Sequence, residues 1–150
     1  MIQWQNYLKV LCKQLWNQGL NLIYLKDYQV PTYLIDETEL HFDINEDLTL
    51  VTATLQIRRN PDATTSASEL VLDGVSLETR SVAIDGRELL SNEYGLDDSS
   101  LTIFDVPESF FLKTTVAIKP QENTALEGLY KSGDMFCTQC EAEGFRNITW

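Results

Sequence analysis

The sequence predicts an all-β domain, an antiparallel β-sandwich or saddle of hairpins, with an amphipathic helix ahead of it. Three observations carry that prediction. Apolar residues recur with period two from Leu34 onward, turn signals separate the alternating runs at intervals of about 8–12 residues, and only the first segment shows helical spacing. The chain has 150 residues, 43% hydrophobic and 10% aromatic. A chain of that length hides roughly 70% of its unfolded-state surface, so one core of ordinary size is expected and disorder is excluded for most of it.

The elements follow in chain order. Trp4, Leu8, Leu11 and Leu15 recur at helical spacing, Tyr7 and Trp16 widen the stripe, and Gly19 offers a stop. Residues 1–24 are therefore set apart as a leader helix, which packs on its own sheet, docks on a partner or is an unneeded start. Residues 28–33 are an extended lead-in, because Val30 precedes Pro31 and is pushed away from helical backbone. Leu40, Phe42 and Ile44 then alternate with Glu39, His41 and Asp43. After the Asn45-Glu46-Asp47 turn, Val51, Ala53, Leu55 and Ile57 alternate with Thr52, Thr54, Gln56 and Arg58, giving a hairpin with one wet face.

A loop follows from Asn60 to Ser68. Leu70-Val71-Leu72 ends at the turn signal Asp73-Gly74, and Val82-Ala83-Ile84 meets another at Asp85-Gly86. Leu101 to Phe104 is a short strand. Phe110, Leu112, Thr114, Val116 and Ile118 line one face of what the pattern makes the longest strand. Past Pro120 the chain is loop-rich, with Ser132-Gly133-Asp134 as the turn of a hairpin whose second arm runs from Met135 to Gln139. The apolar Ile148-Thr149-Trp150 reads as a cut rather than a tail.

Eleven Lys and Arg stand against 23 Asp and Glu, a net charge of −12. Binding of nucleic acid or of an acidic membrane is excluded, because neutralising phosphates requires clustered basic side chains; cationic partners are favoured. No apolar stretch approaches the roughly 18 residues of a membrane helix, and Met1-Ile2-Gln3-Trp4 lacks the basic lead of a secretory signal. A cytoplasmic location is expected. Three cysteines, Cys12, Cys137 and Cys140, are an odd number and do not describe a disulfide framework.

Cys137-Thr138-Gln139-Cys140 is a C-x-x-C and so half a zinc site or a redox pair. A structural zinc wants four nitrogen or sulfur ligands, and only Cys12 and His41 remain to complete it; His41 reads instead as a solvent-facing strand residue. A redox pair needs a cation or a helix N-terminus beside the first thiol, whereas its neighbours are Asp134, Met135, Phe136 and Glu141. Both cysteines therefore read as small buried hydrophobes that bracket Gln139. With a single histidine, the chain holds no Ser-His-Asp triad, no Cys-His pair and no H-E-x-x-H. No residue is assigned a catalytic or metal-binding role.

The run Asn123-Thr124-Ala125-Leu126-Glu127-Gly128-Leu129-Tyr130-Lys131-Ser132-Gly133, followed by Cys137-Thr138-Gln139-Cys140-Glu141-Ala142-Glu143-Gly144-Phe145-Arg146, resembles the bacterial aminopeptidase N family of gluzincin zinc exopeptidases. The likeness extends more loosely through Pro31 to Ile35 and Leu40 to Ile44, and so covers about Leu25 to Trp150. Residues 25–150 would then be the family's N-terminal β saddle domain, with the catalytic zinc domain absent from this chain. The family's H-E-x-x-H, its downstream Glu ligand, its G-A-M-E-N motif and its catalytic tyrosine are missing, because the sequence ends before the family places them.

The resemblance implies that zinc and hydrolysis belong to the full-length enzyme, and that this chain alone binds no cofactor and is inactive. It also implies that Glu141, the first Glu after C-T-Q-C, binds the free α-ammonium of a peptide substrate, and that Gln139 lines the substrate pocket. Without that implication Glu141 is one solvated acid among 23. If the strand continued, Gln139, Glu141 and Glu143 would share a face; Glu143 is given no substrate contact. A domain parted from its neighbour exposes an interface of about 600–1,500 Å², which favours a dimer of the chain. The competing reading is a free-standing acidic β-sandwich module that binds a cationic peptide or protein.

Overall fold

A computed structural model describes residues 28–65 and 68–150; the expected leader helix and Cys12 lie outside the described residues. The strands are β1 (Tyr33–Ile44), β2 (Thr49–Arg59), β3 (Leu70–Asp73), β4 (Glu78–Ile84), β5 (Arg87–Glu88), β6 (Tyr94–Leu96), β7 (Ser100–Ile103), β8 (Ser109–Ile118), β9 (Gly128–Ser132) and β10 (Met135–Gln139), followed by a short 3-10 helix at Gly144–Asn147. They pair antiparallel into a five-stranded sheet ordered β1-β2-β8-β4-β5, a three-stranded sheet ordered β3-β7-β6, and the separate ribbon β9–β10. The predicted all-β class holds.

Period-two patterning explains the central pair. Val51, Ala53, Leu55 and Ile57 of β2 are buried while Thr52, Thr54 and Gln56 between them are half-exposed. The register sets Val51 opposite Val116, Leu55 opposite Leu112 and Ile57 opposite Phe110, so the apolar faces of β2 and β8 coincide. Leu70, Leu101 and Ile103 of the three-stranded sheet join the same core. Burying each such side chain stabilises the fold by about 1.5–3 kcal/mol. Tyr33 closes one end, edge-on to Phe110 with ring centroids 6.1 Å apart.

Three details depart from the sequence pattern. Ile44, expected inward with Leu40 and Phe42, is 44% exposed, because β1 is an edge strand and overhangs the core there. β8, with 10 residues, is shorter than β1 with 12 and β2 with 11, since its pattern begins only at Ser109. Asp73-Gly74 does not turn β3 back onto β4; β3 pairs with β7 in the other sheet. The ring of Trp150 lies against Gly74, where an added Cβ would stand 2.5 Å from it, so this glycine serves a close approach at a sheet crossing. Ile148, Thr149 and Trp150 themselves are buried, and the Trp150 indole N–H donates to Thr79 Oγ1 at 2.8 Å. Among the described residues no helix is long and apolar enough to cross a membrane.

Candidate functional site

The candidate residues lie on the β9–β10 ribbon and the turn that follows it. Ser132, Gly133 and Asp134 form the tip, where Gly133 takes φ +60°, and the register runs from Met135 opposite Ser132 to Gln139 opposite Gly128. Gly128 and Leu129 at the base of this ribbon are buried, whereas its tip from Lys131 to Phe136 is exposed. Cys137 and Cys140 are accordingly half-exposed rather than buried as the sequence pattern suggested, although Cys140 packs against the core; both are free thiols. Lys131 sits 5.8 Å above the Phe136 ring and shields part of it from water.

β10 stops at Gln139, which is exposed, so Gln139, Glu141 and Glu143 do not share one strand face. The chain turns instead: the Gly144 N–H donates to the Cys140 carbonyl at 3.1 Å, and Glu141, Ala142 and Glu143 protrude from the turn. The Glu141–Ala142 peptide is cis. Beside the turn lies an open cleft of about 430 Å³ whose walls include Glu127, Glu141, Glu143, Arg146 and Asn147. Gln139 is not among its walls.

The charges of this cleft are unevenly matched. Arg146 reaches Glu143 at 2.8 Å, one turn of the 3-10 helix away. Glu141 and Glu127 have no ion pair or side-chain hydrogen bond among the described residues, so two unneutralised carboxylates face one concavity. Such a site attracts a compact cation carrying several N–H donors. The Glu127 wall is held by Asn123, whose side-chain amide donates to the Glu127 carbonyl at 2.7 Å and to the Leu129 carbonyl at 2.9 Å while its oxygen accepts the Ala125 N–H. Glu127, Asn123 and Arg146 were not singled out by the sequence. Asn123 could have been, since an Asn just after a proline turn is a common backbone brace; Glu127 carries no such signal and is brought to Glu141 only by ribbon pairing.

Zinc does not fit here. Among the described residues no group of three or more His, Cys, Asp and Glu side chains converges on a metal position. His41 lies on β1 of the five-stranded sheet, while Cys137 and Cys140 belong to the ribbon and the turn beyond it, so the described residues do not assemble the donor set of a tetrahedral site.

No protein-family model matches the chain. It is 49% identical over 126 residues to aminopeptidase N of Caulobacter vibrioides, a match covering 84% of this chain and 14% of that protein. To aminopeptidase N of Escherichia coli it is 43% identical over 127 residues, or 85% of this chain and 14% of that protein. The chain therefore spans about one seventh of the length of the curated relatives it matches. Among solved structures, Legionella pneumophila aminopeptidase A in complex with aspartic acid superposes with a TM-score of 0.78 at 29% identity, over 84% of this chain and 15% of that one. The M1 zinc metallopeptidase of Deinococcus radiodurans gives a TM-score of 0.57 at 15% identity, over 78% of this chain and 29% of that one, a likeness of fold alone.

Proposed function

Because the chain is homologous to the N-terminal domain of the aminopeptidase N family of zinc metallopeptidases, we propose that it anchors the substrate amine within a longer aminopeptidase that releases N-terminal amino acids from peptides. Glu141 accepts hydrogen bonds from the α-ammonium. Gln139, exposed at the end of β10, contacts the substrate from the strand side. Zinc and the hydrolytic step reside in residues this chain does not contain.

The observation that carries this reading is the unpaired Glu141 carboxylate on an acidic cleft whose neighbouring Glu143 is already neutralised by Arg146. An exopeptidase must tell a chain end from an internal amide, and only the end bears a positive nitrogen. A charge-assisted hydrogen bond of this kind contributes about 1.5–3 kcal/mol, which is roughly tenfold to hundredfold in selectivity. The length of the relatives favours a domain embedded in a larger polypeptide over a free-standing module. Free thiols at Cys137 and Cys140 support a reducing, cytoplasmic setting. Residues 25–150 form the domain, residues 1–24 stand outside it, and the exposed Met135, Phe136 and Phe145 offer apolar surface for the rest of the polypeptide or, in the isolated chain, for a second copy.

The test is kinetic. In the full-length enzyme, Glu141→Gln keeps the shape and removes the charge; kcat/KM for aminoacyl amides falls about tenfold or more with KM raised. Unchanged kinetics would remove Glu141 from the site.

A further inference from the structure

Three backbone segments meet at one point behind the Glu141 turn. Gly144 opens the 3-10 helix and is buried there. A Cβ at Gly144 would overlap the Gln139 carbonyl oxygen and stand 3.1 Å from both the Gln139 carbonyl carbon and the Gly128 nitrogen. Gly128, paired with Gln139 across the ribbon, faces the same junction from the other side. It has φ +73°, and a Cβ on it would lie 2.8 Å from Asn147 Cβ and 3.1 Å from the Gly144 carbonyl oxygen. The obstructing atoms are backbone or Cβ, which cannot swing aside as the end of a long side chain can.

The junction closes the residues between Gln139 and Gly144 into a tight turn, with the Gly144 N–H on the Cys140 carbonyl at 3.1 Å and Glu141 on its outer side at the cleft. We propose that Gly144 and Gly128 are positioning residues for the ammonium site: their missing side chains set the backbone path that holds the Glu141 carboxylate in place. The inference rests on Glu141 being the anchor. Ammonium–carboxylate hydrogen bonds span only about 2.7–2.9 Å, so a turn displaced by about 1 Å no longer makes them.

The test uses the full-length enzyme and two inhibitors, leucine hydroxamate and its counterpart lacking the α-amine. Gly144→Ala is expected to weaken the amine-bearing inhibitor about tenfold and to leave the other within about twofold, a split that a general loss of folded enzyme does not produce. Combined with Glu141→Gln it causes no further loss, because the carboxylate it displaces is already gone. Gly133→Ala is the control: Gly133 also has a positive φ, +60°, but nothing lies within 4 Å of its added Cβ, and the inhibitor pair stays unchanged. Gly128→Ala, approaching the junction from its other side, is expected to repeat the split.

The outcomes separate. If Glu141→Gln leaves the pair unchanged, the anchor reading fails and this inference with it. If Glu141→Gln weakens the amine-bearing inhibitor while Gly144→Ala does not, or if the two losses multiply in the double variant, the positioning role fails and the anchor stands. Failure of both Gly144→Ala and Gly128→Ala to give soluble protein, with Gly133→Ala soluble, would assign the junction to folding alone and overturn the proposal.

Discussion

Glu141 and Glu143 stand two residues apart on one turn, and the difference between them is a partner: Arg146 satisfies Glu143 and leaves Glu141 to the cleft. An exposed pair of this kind adds only about 0–1 kcal/mol to stability. A second exposed carboxylate shows the opposite arrangement. Asp97 accepts the Ser99 and Ser100 N–H groups at 2.7 and 2.8 Å and both their hydroxyls. The Ser100 hydroxyl first, then the Ser99 N–H and hydroxyl, hold its carboxyl well below the usual range, at about 2. A depressed folded value means stability present in full above the unfolded value near 4 and lost as pH falls through about 2. Asp97→Ala should therefore lower the Tm of the chain at pH 7, with the gap to the parent narrowing between about pH 4 and pH 2; a gap constant across that window would contradict the assignment. At this scale the C-T-Q-C-E motif brought Glu141 forward as a candidate, and the fold places it on an open cleft. Glu127 and Arg146 were not brought forward, since only the ribbon register and the 3-10 turn bring them to the same cleft.

Strands are where the sequence speaks most directly. The alternations in residues 39–58 and 110–118 became β1, β2 and β8 because one face of each meets a core and the other meets water. Pairing partners were less legible. A turn signal such as Asp73-Gly74 reports that the chain bends, and says nothing of which strand receives it; here a glycine was required by the Trp150 ring, and the chain passed to the other sheet. Gly74→Ala should destabilise the chain by about 1–3 kcal/mol through overpacking, read as a lower urea midpoint; an unchanged midpoint would mean that the Trp150 ring moves freely. Thr114 offers the reverse case. Its hydroxyl is fully buried on β8 between Ala53 and Val82 and has no hydrogen-bond partner among the described residues. Thr114→Val keeps the shape, removes the desolvated hydroxyl, and should raise stability by about 1 kcal/mol; a loss of stability would reveal a polar partner for that hydroxyl.

For the whole molecule, a net charge of −12 on 150 residues describes the overall field but does not locate any site. Two carboxylates without an ion pair among the described residues, Glu127 and Glu141, are gathered where the buried base of the β9–β10 ribbon meets the 3-10 helix, at the proposed amine site. The absence of a converging donor set among the described residues predicts that the 150-residue chain, titrated with zinc and followed by calorimetry, takes up no stoichiometric metal; one tightly bound zinc per chain would contradict the division of labour proposed here. The proposed role of Glu141 comes down to a single contact. A crystal structure of the full-length enzyme with a bound amino acid should place a Glu141 carboxylate oxygen within about 3 Å of the α-nitrogen; a carboxylate turned away from that nitrogen, with another acid in its place, would contradict an anchoring role for Glu141.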